Sequence, residues 1–325
     1  MEKVKIVVLD GYCLNPGDNP WNEFSSLGEL SVYDRTAPHE LLQRSGNADV
    51  LITNKTRIPK DIILNLPYLK YIGVLATGHD VVDIIAAKER GIPVTNVPEY
   101  GTNSVAQFVF ALLLELCHHV GQHNRAVHDG EWAQCPDFSF WKTNLIELYG
   151  KIIGIVGFGR IGRRVGEIAH SFGMEVLAVD IDKKESPLYT PFSWASINDA
   201  LRLSDILSLN CSLTFDNKEL INRNSLSLMK PSALLINASR GGLVNENDLA
   251  DALNSGMIAG AAVDVVSREP IKPDNPLIKA KNCIITPHIA WASLESRKRL
   301  MHKAADNLKS FLSGSPTNVV NGVQF

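Results

Sequence analysis

Three side chains in the second half of the chain are of types that can handle an acidic carbonyl compound. Arg240 follows the apolar run LLINAS and precedes Gly241-Gly242; Glu269 follows AAVDVV and precedes Pro270; His288 follows CIITP and precedes IAW. An arginine holds a carboxylate through two parallel hydrogen bonds and polarises a nearby carbonyl. A histidine passes a proton near neutral pH, and a carboxylate beside it raises its pKa and fixes its tautomer. All three follow predicted strands, at the end where open α/β sheets bind ligands. Polar residues there also serve as turns and caps, so position alone leaves both roles open.

A second group lies upstream, in residues 150–182, GKIIGIVGFGRIGRRVGEIAHSFGMEVLAVDID. Ile152, Ile153, Ile155 and Val156 form a nearly continuous apolar run, the mark of a parallel strand buried on both faces. Gly157, Gly159 and Gly162 then give G-x-G-x-x-G, enclosing Arg160 and Ile161. The first glycine permits a tight turn, the second lets the backbone approach a pyrophosphate, and the third lets helix and strand pack closely. The next helix offers N–H groups and a positive dipole end to that pyrophosphate. Asp180 ends the following strand, eighteen residues beyond Gly162. The glycine pattern alone is weak, but strand, helix and acid supply the context a dinucleotide site requires. A carboxylate at Asp180 can hold the ribose hydroxyls and would repel a 2′-phosphate, which points to NAD rather than NADP. Lys183 and Lys184 lie close by without replacing the acid. Together with a nicotinamide, an arginine, a glutamate and a histidine are the parts needed for hydride transfer to a 2-oxo acid.

These residues require parallel sheets to present them. Before residue 100, strands are expected at 4–9, 30–33, 50–53, 71–76 and 94–97. Short helices are expected at 39–44 and 61–66, an amphipathic helix at 80–90 stopped by Gly91, and a loop over 12–30. Strands alternating with helices mean a doubly wound α/β domain. Residues 103–132 carry the longest helical signal; its core, VAQFVFALLLEL, is apolar nearly all round, so burial between domains or subunits is expected. Trp132, Phe138, Phe140 and Trp141 follow in an irregular segment with no basic stripe, which suits a protein partner better than nucleic acid. The second domain continues with strands at 176–179, 206–210, 233–237, 261–266 and 283–286 and helices at 197–202, 222–229 and 245–254. An amphipathic helix at 294–312 returns to the first domain. The fold class is therefore α/β with two doubly wound parallel-sheet domains: a first domain of residues 1–100 completed by 292–325, and a nucleotide-binding domain of residues 101–291.

The bulk properties agree. The 325 residues suffice for two domains, each with a core. A hydrophobic content of 45% and a charged content of 21% describe an ordinary globular chain. The formal net charge of -3 gives no electrostatic case for nucleic acid or an anionic membrane. Five scattered cysteines without a C-x-x-C pair suit free thiols in a reducing compartment. No apolar run approaches the roughly eighteen residues of a membrane span, and the N-terminus does not read as a signal peptide. A cytoplasmic location is expected.

The segments INASRGGLVNENDLADAL, AAVDVVSREP and NCIITPHIAWAS resemble the signatures of the D-isomer-specific 2-hydroxyacid dehydrogenases. LATGHDVVDIIAAKERGIPVTNVPEYGTNSVAQ is similar to that family's substrate loop and interdomain helix. PDFSFW and PHIAWAS look most like its glycerate dehydrogenase, or hydroxypyruvate reductase, branch. The resemblance covers nearly the whole chain. It implies a Rossmann NAD-binding domain inserted in a smaller, flavodoxin-like substrate domain, and an NAD-dependent enzyme that reduces hydroxypyruvate to D-glycerate. It places the catalytic arginine on Arg240, the glutamate on Glu269 and the acid/base histidine on His288. It assigns the acid near the nicotinamide amide to Asp264 and the adenosine-ribose acid to Asp180. With these, Gly157, Gly159, Arg160, Ile161, Gly162, Cys211 and Ala238 make up the cofactor set. Main-chain amides of Ala76, Thr77 and Gly78, with Arg240, would bind the substrate. Read from its own position at the end of the ITNKT strand, Lys55 stands either to reach the substrate or simply in solvent. Ser212-Leu213-Thr214, Ala238 and Gln107 depart from the family's usual residues, which bears on adenine and ribose contacts rather than on the reaction.

Several readings compete. A 3-phosphoglycerate dehydrogenase would want several basic groups near the substrate loop, where Lys55 and Arg57 are the evident ones; another D-2-hydroxyacid dehydrogenase is equally a same-class alternative. An NAD(H)-sensing, corepressor-like binding protein is the alternative from another class. His119 and His123 stand four apart, but no acid or cysteine joins them at metalloenzyme spacing, so a polar helix face is expected and no metal. His79 borders the substrate loop, and Cys211 is expected to pack rather than react. The aromatic arm predicts a homodimer. Trp141 is placed either to reach the partner's site and limit substrate size or simply to pack the arm.

Overall fold

The computed structural model describes residues 3–324. The chain divides into two compact units, one running up to Gly101 and resuming at Ala292, the other spanning Thr102–Trp291.

The first unit runs β1 (Lys5–Val8), α1 (Asn22–Ser25), β2 (Glu29–Val32), α2 (Leu41–Ser45), β3 (Val50–Thr53), α3 (Lys60–Leu64), β4 (Tyr71–Val74), α4 (Ile84–Glu89) and β5 (Val94–Thr95). Its sheet is wholly parallel in the order β2-β1-β3-β4-β5, the flavodoxin-like doubly wound order. Central strands β3 (VLIT) and β4 (YIGV) are buried at every position, whereas edge strand β2 is mostly exposed. The expected loop over 12–30 holds the one-turn helix α1. The helix expected from Asp80 starts only at Ile84, because Val82 bridges to Ile58 and the Asp83 side chain caps Ala86 N–H. The C-terminal helix, Leu294–Leu312, is capped by Ser293 and buries Leu300, Met301 and Leu308 in this unit. Each such side chain contributes roughly 1.5–3 kcal/mol when fully buried.

The second unit runs α5 (Thr102–His118), α6 (Val120–His128), β6 (Ile152–Val156), α7 (Arg160–Ser171), β7 (Glu175–Val179), β8 (Phe192–Trp194), α8 (Ile197–Leu203), β9 (Ile206–Leu209), α9 (Arg223–Leu226), β10 (Leu234–Asn237), α10 (Glu246–Ser255), β11 (Gly260–Val263) and β12 (Cys283–Ile285). Seven parallel strands lie in the order β12-β11-β10-β9-β6-β7-β8. Counted from β6, this is the Rossmann order with one strand added. Helices cover both faces: one core holds Leu201, Leu226, Leu249 and Leu253, the other Val109, Leu113, Val165 and Ala169.

Two expectations change here. The single helix expected over 103–132 is broken at His119, whose φ of 47° is left-handed, and α5 and α6 meet at a 55° bend. The apolar length of α5 is buried within its own unit, against α7, β10 and β11, rather than reserved for another domain or subunit. Strand β8 was not expected; it is a three-residue edge strand following Pro191. No single helix among the described residues is long and apolar enough to cross a membrane.

Both sheets are stitched at their amino ends by the same device. Asp49, just before β3, accepts hydrogen bonds from Lys5 N–H (2.9 Å) and Lys70 Nζ (2.9 Å). Asp205, just before β9, accepts from Ile152 N–H (2.9 Å) and Lys230 Nζ (2.8 Å). In each case the aspartate ties the first strand of its unit to the strand beside it at the point where strand order reverses. Burial pushes both carboxyls up, but the N–H and ammonium partners outweigh it, and both titrate below their ordinary 3.8. A carboxyl whose pKa is lower folded than unfolded contributes stability above its unfolded value and loses it as pH falls through the folded one. Asp205→Ala should therefore lower stability at pH 7 by about 1–3 kcal/mol, mostly by orphaning the Ile152 N–H. Denaturant melts should show that difference shrinking below about pH 4; a gap that persists unchanged at pH 3 would contradict the assignment.

Candidate active site

The glycine turn lies where β6 and β9 diverge. Gly157 has φ of +91°, and a Cβ on it would sit 2.5 Å from Cys211 N, so the turn presses against the backbone beyond β9. A Cβ on Gly162 would meet Gly157 O at 2.1 Å, which lets α7 start directly above the strand. Gly159, the N-cap of α7, faces open space: nothing lies within 4 Å of its would-be Cβ. The first turn, Arg160, Ile161 and Gly162, presents the positive end of a twelve-residue helix to that space. Half-buried Asp180 accepts from Phe158 N–H at 2.7 Å (Oδ2) and Asp182 N–H at 3.2 Å (Oδ1). The carboxylate is thereby held against the glycine turn with lone pairs to spare. An open cradle at a helix N-terminus with a fixed carboxylate at the next strand end fits a dinucleotide with free ribose hydroxyls. Arg163 and Phe158 close the turn from the helix side, with the guanidinium 5.1 Å from the ring centroid.

Cys211 and Ala238 end the two strands next along the sheet. The Cys211 carbonyl accepts from the Ser239 hydroxyl, tying these strand ends together. Burial raises the Cys211 thiol pKa, as expected of a packing residue. Buried Asn237 shapes the following turn, donating to Arg240 O (3.0 Å) and accepting from Ser239 N–H (3.1 Å). Arg240 is exposed, its Nη1 donating to Ser239 O at 2.8 Å. A Cβ on Gly241 would fall 1.9 Å from the Val266 carbonyl carbon, so the arginine's turn abuts the segment leading to Glu269.

Glu269 and His288 meet directly: Nδ1 lies 2.7 Å from Oε2. Facing a carboxylate, Nδ1 carries its proton, and Nε2 becomes the atom that gives or takes one. His288 has φ of 55°, a left-handed conformation that a non-glycine residue adopts at a cost. Five contacts enforce it. His288 N–H donates to Asp264 O, and its carbonyl accepts from Trp291 Nε1 (2.9 Å). Ile289 and Ala290 N–H groups both donate to the Asp264 carboxylate at 2.9 Å. Thr286 Oγ1 donates to it as well, at 2.7 Å. Asp264 is 1% exposed, and burial raises its carboxyl pKa despite these donors and the nearby imidazole.

The first unit gathers its predicted residues at the carboxyl ends of β3 and β4. Buried Asp10 accepts from Asn54 N–H (2.8 Å), Lys55 N–H (2.6 Å) and Thr56 N–H (2.6 Å). This fixes the backbone of Lys55 while its side chain is exposed. Asn54 Nδ2 donates to Leu75 O, Val97 N–H to Ala76 O, and Asn96 Nδ2 to Thr77 O. The carbonyls of residues 75–77 are thus occupied. The N–H groups of Ala76, Thr77 and Gly78 have no acceptor among the described residues. His79 Nδ1 is buried with no partner there either.

His123 Nδ1 contacts His119 O at 2.9 Å, and its Nε2 accepts from Lys142 N–H at 3.0 Å. The ring ties the arm to α6, and no cluster of three metal-ligating side chains occurs among the described residues. Asp10, Asn54 and Trp291 were not singled out from the sequence as site residues. Asp10 reads there as the start of an Asp-Gly turn, and only its burial at a strand end reveals its task.

A glycine turn for a dinucleotide and a histidine–carboxylate pair on one sheet edge define a nicotinamide-dependent oxidoreductase. Residues 110–290 match the D-isomer specific 2-hydroxyacid dehydrogenase, NAD binding domain family. A hydroxypyruvate reductase of Blautia hydrogenotrophica is 53% identical over 98% of this chain and 100% of its own. A glycerate dehydrogenase of Methylorubrum extorquens is 37% identical over 97% of this chain and 98% of its own. Among solved structures, an acyclic imino acid reductase in complex with NADPH and D-Arg superposes with a TM-score of 0.84 at 31% identity, covering 98% of this chain and 100% of its own. The chain belongs to the D-isomer-specific 2-hydroxyacid dehydrogenase family. Its cofactor is NAD.

Asp180 sets the expected discrimination between cofactors. NADH should exceed NADPH by at least about tenfold in kcat/KM, roughly 1.4 kcal/mol. Asp180→Ala should narrow the ratio, and equal efficiency of the two cofactors in the wild type would show that Lys183 or Lys184 overrides the acid.

Proposed function

We propose that the enzyme reduces hydroxypyruvate to D-glycerate with NADH. The observation that carries this is the 2.7 Å His288–Glu269 pair on the same sheet edge as the glycine turn. The names of the Blautia hydrogenotrophica and Methylorubrum extorquens relatives support the choice of substrate. Gly157, Gly159, Arg160, Ile161, Gly162, Asp180, Cys211 and Ala238 would hold the cofactor. Asp264 would accept from the nicotinamide amide, for which Oδ2 keeps one lone pair beside the Ala290 N–H. When bound, the reduced nicotinamide supplies the hydride to C2 of the 2-oxo acid. Arg240 binds the acid and polarises its carbonyl. Lys55 and the unmet N–H groups of Ala76, Thr77 and Gly78 take the carboxylate. His288 Nε2 protonates the carbonyl oxygen as it gains charge, leaving a neutral imidazole and a 2-hydroxy acid. Glu269 holds the ring in place through Nδ1, leaving Nε2 as the donor. The reverse reaction needs the neutral ring as base.

NADH oxidation against a panel of 2-oxo acids tests this reading, with hydroxypyruvate expected to give the highest kcat/KM. A higher value for 3-phosphohydroxypyruvate would move the assignment to a phosphoglycerate dehydrogenase, and no turnover at all would favour a binding protein. His288→Ala should lower kcat by about 10²–10⁴ with NADH binding retained; near-normal turnover would remove His288 as proton donor.

The reading includes a homodimer. Phe138 and Trp141 are 91% and 65% exposed in the single chain, and Trp132, Val120 and Val127 are exposed on α6 and the arm after it. The arm is nonetheless tied down, through Trp132 Nε1 to Phe138 O and the Lys142–Glu131 ion pair. An ordered, aromatic, uncovered surface suits a second copy. A cytoplasmic location goes with this reading, supported by five free thiols. Sedimentation at micromolar concentration should give a dimer, and Trp141→Ala should change the hydroxypyruvate preference over bulkier 2-oxo acids if Trp141 reaches the partner's site. A monomeric wild type would overturn both statements.

A further inference from the structure

Glu246 is the first residue of α10. An acid in the first turn complements the helix dipole, an effect of about 0.3–1 kcal/mol that asks nothing more of the carboxylate. Here both oxygens are turned onto a neighbouring loop. Oε1 accepts from Ser267 N–H at 2.6 Å, and Oε2 accepts from Ser267 Oγ and Asn275 Nδ2, each at 2.9 Å. Ser267 and Asn275 bracket Glu269. Val266, one residue ahead of Ser267, donates its N–H to Glu269 Oε1 at 3.3 Å and is pressed from behind by Gly241. Glu269 itself is exposed, at the tip of a segment with little burial of its own.

We infer that Glu246 is the positioning residue of the His288–Glu269 pair, clamping both ends of the Glu269 loop so that Oε2 stays within hydrogen-bond reach of Nδ1. The inference rests on the proposed role of His288 as proton donor with Glu269 as its partner. Among the described residues, Glu269 is hydrogen-bonded to the imidazole and Asp264 feels its charge across the loop. Asp264 is held by Thr286, Ile289 and Ala290 and does not depend on the clamp. Loosening the clamp therefore weakens the contribution of Glu269 alone. The imidazolium then loses part of its hydrogen bond to Glu269, and the geometry of transfer degrades.

The test is the pH profile of hydroxypyruvate reduction for wild type, Glu246→Gln, Glu269→Gln and the double variant, with NADH binding followed by protein fluorescence. Glutamine keeps the size but replaces one of the two acceptor oxygens by a donor. Glu246→Gln should move the alkaline limb of kcat/KM to lower pH and reduce kcat by up to about 10²-fold. NADH affinity should stay within about twofold, and the limb should move no further when the substitution is added to Glu269→Gln. Ser267→Ala, which removes one of the three donors, should shift the limb in the same direction by less. It decides the matter if Glu246→Gln does not fold. If Glu269→Gln moves the limb and neither Glu246→Gln nor Ser267→Ala does, the clamp is wrong and the reaction assignment stands. If Glu269→Gln leaves the limb unmoved, the assignment of the pair itself fails. A full additional shift in the double variant would show Glu246 acting on His288 by some other route.

Discussion

The buried carboxylate of Asp264 is the constraint on which the chemical half of this molecule depends. It sits just beyond β11, and its three donors all come from the stretch that carries His288. Hydrogen bonds to a charged acceptor are each worth about 1.5–3 kcal/mol, enough together to offset the left-handed backbone at His288. The cost is desolvation of the acid, visible in its raised pKa. Strain at the histidine and burial of the aspartate are thus two halves of one arrangement. A glycine would relieve the strain but could not carry an imidazole.

The cofactor half is governed by close backbone approach rather than by charge. Gly157 against Cys211 and Gly162 against Gly157 O fix where α7 begins, and Gly159 is left bare on the outside. The turn needs two glycines to pack and one to stay uncovered. Asp180 belongs to both halves of that design: its Oδ2 accepts from Phe158 inside the turn, so the acid proposed to hold the ribose also helps shape the glycine loop.

How much of this was legible follows from which forces act locally. Runs such as LLIN and VLIT betray their strands because parallel strands are buried on both faces, and Arg240, Glu269 and His288 stood out as candidates because each lies within a few residues of the end of such a run. The glycine turn was readable because each glycine answers a packing demand within a few residues of itself. The break at His119 left no trace, because α5 stays apolar up to Cys117 and the residue that turns left-handed is not a glycine. Strand β8 was too short and too exposed to produce a pattern. Glu246 stayed hidden because an acid opening a helix already has a sufficient local explanation. Its contacts with Ser267 and Asn275 are made across a turn in the chain that no spacing rule encodes. Asp10 is a similar case, since its three donors lie more than forty residues away.

Those three donors mark a difference between two sheets of similar construction. Successive main-chain N–H groups turned to one side form a natural receptor for a negatively charged oxygen. In the first unit that receptor lies at the reversal of strand order between β1 and β3, the counterpart of the place where the second unit opens its glycine turn. The chain fills it with a carboxylate of its own. Asp10 fills from within the place that the second unit leaves open beside Gly159. Occupied in this way, the first unit keeps its doubly wound topology with that receptor closed, beside a loop whose Ala76, Thr77 and Gly78 N–H groups have no acceptor among the described residues.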